Sequence, residues 1–292
     1  MDGNRETTVE PLLSSGLRDC WQFMLASGQG LCYKTERAVF RPGLIIISIS
    51  NMKRVEKMFR LSEKGERIQE MFNSIAPRYD FLNRLLSLGI DRRWRRFAVS
   101  QINFSENGRI LDVATGTGDV ALEIASRTPE SVKIVGVDFS KEMVELGKAK
   151  IRNSPHAERI TLEVAPCEAI PFAEESFDSV TIAFGIRNVV DRLQGLKEMQ
   201  RVMKPEGRVV ILEFSTPRSR IFKSLYYFYF LHVLPVIGGL FSQFSAYKYL
   251  PDSVLEFPSR DDFKALMVAA GFRNPRHHDL TGGIATVYVA EK

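Results

Sequence analysis

The chain has 292 residues, of which 45% are hydrophobic and 26% are charged, which is an ordinary composition for a globular protein. That length suits one large domain, or a domain with an appendage, and a core of this size needs no disulfide bond. Cys20, Cys32 and Cys167 are widely spaced and form no CxxC motif, which predicts a reducing compartment and no metal site. The net charge of +5 is mildly basic, and without long Lys/Arg blocks it argues against a nucleic-acid partner.

Residues 1–57 carry scattered charges of both signs and show no sustained helical or strand period. Their acidic residues argue against a transit peptide, and the lack of a basic start before an apolar core argues against a secretory signal. We expect a poorly ordered extension here, followed by a folded domain at 58–292. Met52 and Met58 stand just before the organised part, so an alternative is that the native chain starts there.

From about residue 60, helical patterns alternate with short apolar runs. Two helical stretches are predicted first, at 65–72 and 83–99. The predicted strands are 109–114, 133–137, 160–164, 179–183 and 208–214, and the predicted helices between them are 119–126, 141–152 and 193–203. This alternation predicts right-handed βαβ units and a parallel sheet covered on both faces. A last helix at 260–270, capped by Gly271, precedes two strands at 272–279 and 284–290 that are joined through Gly282 and Gly283.

The stretch after the first strand is rich in glycine and begins a helix at once. The pattern Gly116-x-Gly118-x-x-Ala121 fits a dinucleotide fingerprint, and Asp138 follows at the end of the second strand, where an acid binds ribose hydroxyls. Both NAD and S-adenosylmethionine carry such a ribose. A tight turn without any ligand is the third alternative.

Acidic residues on both sides of this loop separate the two cofactors. Asp112 lies within the strand, and Asp119 begins the helix. Negative charge repels the pyrophosphate of NAD and suits the sulfonium and ammonium groups of S-adenosylmethionine. The helix dipole alone also favours an acid at Asp119, so Asp112 is the stronger indication.

Three further stretches are more selective than the loop. They are YDFLNRLLSLGIDRRW at 79–94, FGIRN at 184–188, and RVMKPEGR at 201–208 with LEFS at 212–215. Together they resemble the UbiE/MenG family of quinone C-methyltransferases, from about Met71 to the C-terminus. The resemblance implies an α/β class I S-adenosylmethionine-dependent methyltransferase. Such a fold is Rossmann-like, with a seven-stranded, mostly parallel sheet that has one antiparallel strand, plus an N-terminal helical lid.

The resemblance also implies a reaction, which is C-methylation of demethylmenaquinol or of a polyprenyl methoxybenzoquinol. It implies that Thr117 and Asp138 bind S-adenosylmethionine and that Pro166, Cys167 and Ala183 line its pocket. The family usually has Asp-Ala or Asn-Ala at the first two of these positions, and often a serine at the third. Two rival functions stay open, a nicotinamide-dependent oxidoreductase and a non-catalytic partner with a degenerate cofactor pocket.

A quinol carbon becomes nucleophilic when the neighbouring hydroxyl loses its proton, so the site must stabilise a phenolate. Arg187 and Asn188 follow the fourth strand, and the guanidinium is a candidate for that task; the alternative is a loop arginine paired with a surface acid. Tyr79, Asp80 and Asn83 are lid candidates, with Asp80 a candidate proton acceptor.

Further candidates for the base are His232, His277 and His278, for which solvated or core positions are the favoured interpretation. Residues 225–241 contain no formal charge and predict either a buried helix with a loop or an apolar entry path for a prenyl tail at the lipid interface. The arginines of 92–96 are candidates for contact with anionic headgroups. We therefore expect a lipid-tailed quinol substrate and a cytoplasmic location, with peripheral membrane contact and a homodimer as open alternatives.

Overall fold

A computed structural model describes residues 63–219, 224 and 244–292. From Gly65 onward, the described residues belong to one compact unit. The predicted extension at 1–57, the apolar segment at 225–241 and His232 lie outside the described residues, so the expectations about them stay predictions.

The strands form one sheet in the order β3-β2-β1-β4-β5-β7-β6. β7 runs antiparallel to both of its neighbours, and the other pairs are parallel. The strands are β1 (Arg109–Val113), β2 (Lys133–Asp138), β3 (Ile160–Val164), β4 (Phe177–Ala183), β5 (Met203–Phe214), β6 (Arg273–Leu280) and β7 (Ala285–Glu291). The predicted seven-stranded, mostly parallel sheet with one antiparallel strand is therefore confirmed.

Helices cover both faces of this sheet. They are α1 (63–75), α2 (Tyr79–Leu86), α3 (Asp91–Val99), α4 (Asp119–Ala125), α5 (Lys141–Arg152), α6 (Arg192–Val202), α7 (Phe244–Leu255) and α8 (Arg260–Ala269). Leu111 of β1 packs in a layer with α6 and α8, whereas its neighbour Ile110 packs in the layer of α3, α4 and α5. Successive residues of a strand thus pack against opposite helix layers. Because both faces of the sheet are buried, the strand sequences are continuous apolar runs.

The structure differs from the prediction in the arginine-rich region, where 83–99 is not one helix. The chain turns at 87–90 between α2 and α3, with positive φ angles at Leu88 (52°) and Gly89 (76°). Glycine adopts this left-handed conformation readily. The Ser87 hydroxyl then donates to the carboxylate of Asp91 at 2.7 Å, which supports the first turn of α3. This break lets α2 and α3 take different directions.

Candidate active site

The glycine loop lies at the carboxyl end of β1, where ligands of open α/β sheets bind. Gly116 and Gly118 have φ angles of 55° and 81°, so both use the left-handed region that glycine tolerates. The amide of Gly118 donates to the Thr115 carbonyl at 2.9 Å, which closes the turn just before α4. A Cβ atom at Gly118 would lie 3.1 Å from Cδ1 of Ile151, so the space is also limited. The predicted turn between strand and helix is therefore present.

Asp138, the last residue of β2, is fixed against this loop. Its side chain accepts hydrogen bonds from the amide of Gly116 at 2.8 Å and from the amide of Ser140 at 2.9 Å. Asp138 is only 5% exposed, and this burial raises the pKa of its carboxyl to about 6, although the backbone amides oppose the rise. Each carboxylate oxygen has a further lone pair, so the group can still accept from a ribose diol.

Asp112 is a buried acid on the central strand β1, and it is only 1% exposed. One carboxylate oxygen accepts from the Thr115 hydroxyl at 2.6 Å. The other, Oδ1, is buried and has no hydrogen bond of good geometry among the described residues, although the backbone amide of Ala121 lies near the carboxylate. Burial raises the pKa of Asp112 to about 7. A buried acceptor without a donor is costly, and a cationic ligand with N–H groups would satisfy it. A buried carboxylate with a free acceptor position fits the ammonium and sulfonium groups of S-adenosylmethionine and disfavours a pyrophosphate.

Asp119 contributes less negative charge to the loop than the sequence predicts. Arg95 of α3 lies 3.0 Å from one of its oxygens, and Lys150 of α5 contacts the other. Burial acts to raise the pKa of Asp119, but these two cations outweigh it and hold the pKa below its ordinary value. The charge argument for the cofactor therefore depends on Asp112.

The helix α2 brings the predicted lid residues to the loop. Cε1 of Tyr79 lies 3.7 Å from the position that a Cβ atom would take at Gly116. Burial raises the pKa of the Tyr79 hydroxyl, against a hydrogen bond with the side chain of Asn83 that lowers it. Asp80 accepts from the Thr117 hydroxyl at 2.6 Å and from Lys150 at 2.7 Å. Both of its oxygens are thus engaged in contacts between the lid and the loop.

Arg187 lies on the short helical turn after β4, and its partner is a buried acid instead of a surface acid. Nη1 donates to Oε1 of Glu213 at 2.7 Å, and the backbone amide of Arg187 donates to Oε2 at 3.1 Å. Glu213, near the end of β5, is 0% exposed, and Arg187 is 8% exposed. The guanidinium carbon also lies 5.3 Å from the centre of the Phe214 ring. This arrangement holds the arginine in one orientation.

Sequence reasoning missed two residues that contact the predicted site. Glu213 is one of them, and the signal for it is an acid inside the apolar run of β5. Tyr249 of α7 had no such signal, and its hydroxyl donates to Oδ1 of Asn188 at 2.9 Å. Burial raises the pKa of the Tyr249 hydroxyl, while the charges of Arg187 and Arg192 lower it.

The predicted pocket residues after β3 and β4 are placed differently from one another. Pro166 is exposed, and Ala183 ends β4 partly buried. The thiol of Cys167 points away from the loop, because its Sγ lies 2.7 Å from a Cβ position at Gly195 of α6. Cys167 belongs to the hydrophobic layer on that face, and burial raises the pKa of its thiol. The side chain thus packs in the core, and only its backbone is left to face a cofactor.

The two described histidines that were candidate bases are not near the loop in the fold. His277 and His278 both lie on β6, the outermost strand, which β5 and β7 separate from β4. His277 lies 3.2 Å from Nη2 of Arg218, and the ring of His278 packs edge-on against Phe97 at 5.5 Å. Their contacts support the favoured interpretation of solvated or packed histidines.

The family model described as the ubiE/COQ5 methyltransferase family matches residues 60–292. This chain belongs to the ubiE/COQ5 methyltransferase family. It is an enzyme, and its cofactor is S-adenosylmethionine.

Individual members of the family are very similar to this chain. The ubiquinone/menaquinone biosynthesis C-methyltransferase UbiE of Geotalea uraniireducens is 77% identical over 235 residues, which are 80% of this chain and 100% of that protein. The demethylmenaquinone methyltransferase of Deinococcus radiodurans is 49% identical over 79% of this chain and 94% of its own length. In both cases the aligned part is close to the whole relative.

Among solved structures, a putative S-adenosylmethionine-dependent methyltransferase from Methanococcus maripaludis superposes with a TM-score of 0.55. Its sequence identity is 16%, and the match covers 75% of this chain and 93% of the other. At that identity the likeness concerns the fold alone. It agrees with the class I methyltransferase fold that the family resemblance implies.

Proposed function

We propose that this member of the family transfers the methyl group of S-adenosylmethionine to a ring carbon of a prenylated quinol. The acceptor would be demethylmenaquinol, a polyprenyl methoxybenzoquinol, or both. The observation that carries the proposal is the buried Arg187 beside the loop, held by Glu213 and lying over the Phe214 ring. A fixed cation against an aromatic wall suits a flat acceptor that becomes negatively charged during the reaction. The names of the two relatives support the same acceptor class.

Within this proposal, the acids and the loop hold the cofactor. Asp138 would accept from the ribose hydroxyls, and the unpartnered oxygen of Asp112 would meet the cationic side of the cofactor. Gly116 and Gly118 would allow its close approach, and the Thr117 hydroxyl, while donating to Asp80, would accept a hydrogen bond from it. Backbone groups at Pro166 and Cys167, together with Ala183, would complete the wall of the pocket.

The guanidinium of Arg187 would activate the quinol for methylation. The cofactor supplies an electrophilic methyl group on a sulfonium. Loss of the neighbouring hydroxyl proton spreads negative charge onto the ring, and Arg187 would stabilise that phenolate. The activated ring carbon would take the methyl group that the cofactor supplies, the sulfonium would leave as a neutral thioether, and the ring C–H proton would pass to solvent and restore aromaticity. Asn188, held by Tyr249, and Tyr79 would orient the ring.

A direct assay of the purified enzyme tests this function. We expect a demethylmenaquinone with a short tail, reduced to its quinol, to gain one methyl group from S-adenosylmethionine, as measured by mass spectrometry. The unreduced quinone is the matched control and should stay unmethylated, because it has no hydroxyl to ionise. Failure with both the naphthoquinol and the benzoquinol would contradict the proposal. Tight calorimetric binding of NAD would instead favour the oxidoreductase, which the buried Asp112 argues against.

Peripheral contact with a membrane is part of the same proposal, because a prenyl tail resides in lipid. Leu88 is 80% exposed at the turn between α2 and α3, and Arg92 and Arg93 just after it are exposed. Arg95 is less available, since it is buried against Asp91 and Asp119, whereas Arg96 is exposed at 3.8 Å from Glu123. Among the described residues, no helix is long and apolar enough to cross a membrane. An apolar residue beside two arginines suits an anionic lipid surface.

Liposome sedimentation checks the membrane contact. We expect the Arg92→Gln/Arg93→Gln variant to bind vesicles with anionic lipids about 30-fold more weakly than the wild type, at roughly 1 kcal/mol per arginine. Arg127→Gln, which removes an exposed arginine paired with Glu123, is the matched control. Equal vesicle binding by all three proteins would exclude the surface around Leu88, Arg92 and Arg93 as the site of membrane contact. The cytoplasmic location and the homodimer stay predictions, and sedimentation velocity measures the latter.

A further inference from the structure

One lysine outside the predicted site contacts the lid, the glycine loop and α4 together. Nζ of Lys150, on α5, lies 2.7 Å from Oδ2 of Asp80 on the lid helix α2. The same nitrogen lies 3.4 Å from the Thr117 hydroxyl and contacts Asp119 at the start of α4. An ammonium group has three N–H donors, so these three acceptors account for all of them. We propose that Lys150 is a positioning residue that clamps the lid onto the cofactor loop.

The helix α5 is placed so that this contact can form. Gly147 precedes Lys150 by three residues, and a Cβ atom there would lie 3.1 Å from the carbonyl carbon of Thr117. The helix backbone therefore approaches the loop more closely than a larger residue would allow. Residues three apart lie on the same side of a helix, so Lys150 extends along the loop towards the lid.

The carboxylate of Asp80 is the lid's side of this clamp. Its Oδ1 accepts from the Thr117 hydroxyl at 2.6 Å, and its Oδ2 accepts from Lys150. In the adjacent residue Tyr79, the ring atom Cε1 lies 3.7 Å from the Cβ position at Gly116. When Asp80 is held, Tyr79 is held with it, and the lid covers the loop that binds the cofactor. This assigns Asp80 an anchoring role in place of the proton transfer that the sequence suggested for it.

The positive charge of Lys150 compensates the carboxylates of Asp80 and Asp119. Asp80 and Asp119 both lie within reach of one nitrogen, and Arg95 compensates Asp119 from the other side at 3.0 Å. Without the ammonium group, the carboxylates of Asp80 and Asp119 would face each other. Arg95 is shared between Asp119 and Asp91, and the charge of Arg84 adds a weaker attraction for Asp119. Like charges repel, so the carboxylate of Asp80 on α2 would be pushed away from Asp119. Loss of Lys150 should thus open the lid and speed the release of the cofactor.

The test compares Lys150→Met with Lys148→Met, a control on the same helix whose lysine pairs only with the exposed Glu145 at 2.9 Å. In the cofactor-free protein, we expect amide hydrogen exchange of the α2 residues to rise about tenfold in Lys150→Met and to stay unchanged in Lys148→Met. Dissociation of S-adenosylmethionine, followed by stopped flow without any quinol, should speed up by a similar factor. Lys150→Arg should restore both values.

Two results would overturn the proposal. One is unchanged exchange of α2 and unchanged cofactor release in Lys150→Met. The other is an equal rise of exchange in β1 and α2, which would indicate general destabilisation. Adding Asp80→Asn to Lys150→Met should cause little further loss, because both changes break the same contact. Since no quinol enters these measurements, their failure is separate from a failure of the proposed acceptor.

Discussion

Replacing Asp138 with alanine is expected to weaken the binding of S-adenosylmethionine by about 100-fold or more. Hydrogen bonds to a charged group contribute roughly 1.5–3 kcal/mol each, and Asp138→Ala would remove the two that the ribose hydroxyls donate to the carboxylate. The amides of Gly116 and Ser140 would also lose their acceptor, so the loop itself would loosen. Isothermal titration calorimetry measures the affinity.

Asp178→Ala is the matched control for this variant. Asp178 also accepts from a hydroxyl, a backbone amide and a lysine, through Ser105, Arg109 and Lys204. It lies at the beginning of β4, whereas the cofactor loop lies at the carboxyl end of the sheet. The control should lose stability and keep its affinity. Equal affinities of the wild type and Asp138→Ala would remove Asp138 from the cofactor site.

The same carboxylates predict how the affinity depends on pH. Burial raises the pKa of Asp138 to about 6 and that of Asp112 to about 7, and both must be ionised to meet a cofactor with hydroxyl and ammonium donors. Affinity should therefore be full above pH 7 and fall as the pH decreases through 7 and then 6. In Asp138→Asn the lower of these two transitions should disappear, because that side chain cannot ionise.

Replacing Arg187 with alanine is expected to lower turnover by about 100-fold or more, with a much smaller effect on cofactor affinity. The structure adds a second expectation about stability. Glu213 is fully buried, and removal of its partner leaves an uncompensated charge that costs about 3–5 kcal/mol of unfolding free energy. Turnover and thermal or denaturant unfolding must therefore be measured together.

A double variant separates the two effects of Arg187. In Arg187→Met/Glu213→Gln the buried charge is gone, and the glutamine oxygen can still accept from the amide of Phe214, which Glu213 now binds at 2.8 Å. We expect most of the stability to return while turnover stays low. Recovery of turnover in the double variant would show that Arg187 acts only by compensating Glu213. Normal turnover in the single variant would remove Arg187 from the mechanism.

Local patterns predicted the sheet and the cofactor loop well. The strands are short apolar runs between helical periods, and the loop glycines and Asp138 stand at fixed distances along the chain, so each signal is contained in a short window. The break at 87–90 was missed because the pattern on both sides of it is helical. A single glycine with positive φ at Gly89 is a weak signal inside such a pattern.

Pairings between distant segments were not predictable in the same way. Glu213 meets Arg187 across 26 positions, Tyr249 meets Asn188 across 61, and Lys150 meets Asp80 across 70. Nothing in the local sequence of either partner specifies the other. The same holds for Cys167, which the family resemblance placed in the pocket, but whose side chain lies against Gly195.

By itself, the sequence determined the fold class and the position of the glycine loop, and it supplied the acids that we propose hold the cofactor. Each of these features follows from the periodicity of apolar residues or from the spacing of glycines and acids along the chain. Only the tertiary structure decided which charges remain available. It paired Asp119 and Asp80 with Lys150, buried Glu213 against Arg187 and left one oxygen of Asp112 without a donor. Compensation of charge depends on distances in space, and those arise only when the helices pack on the sheet.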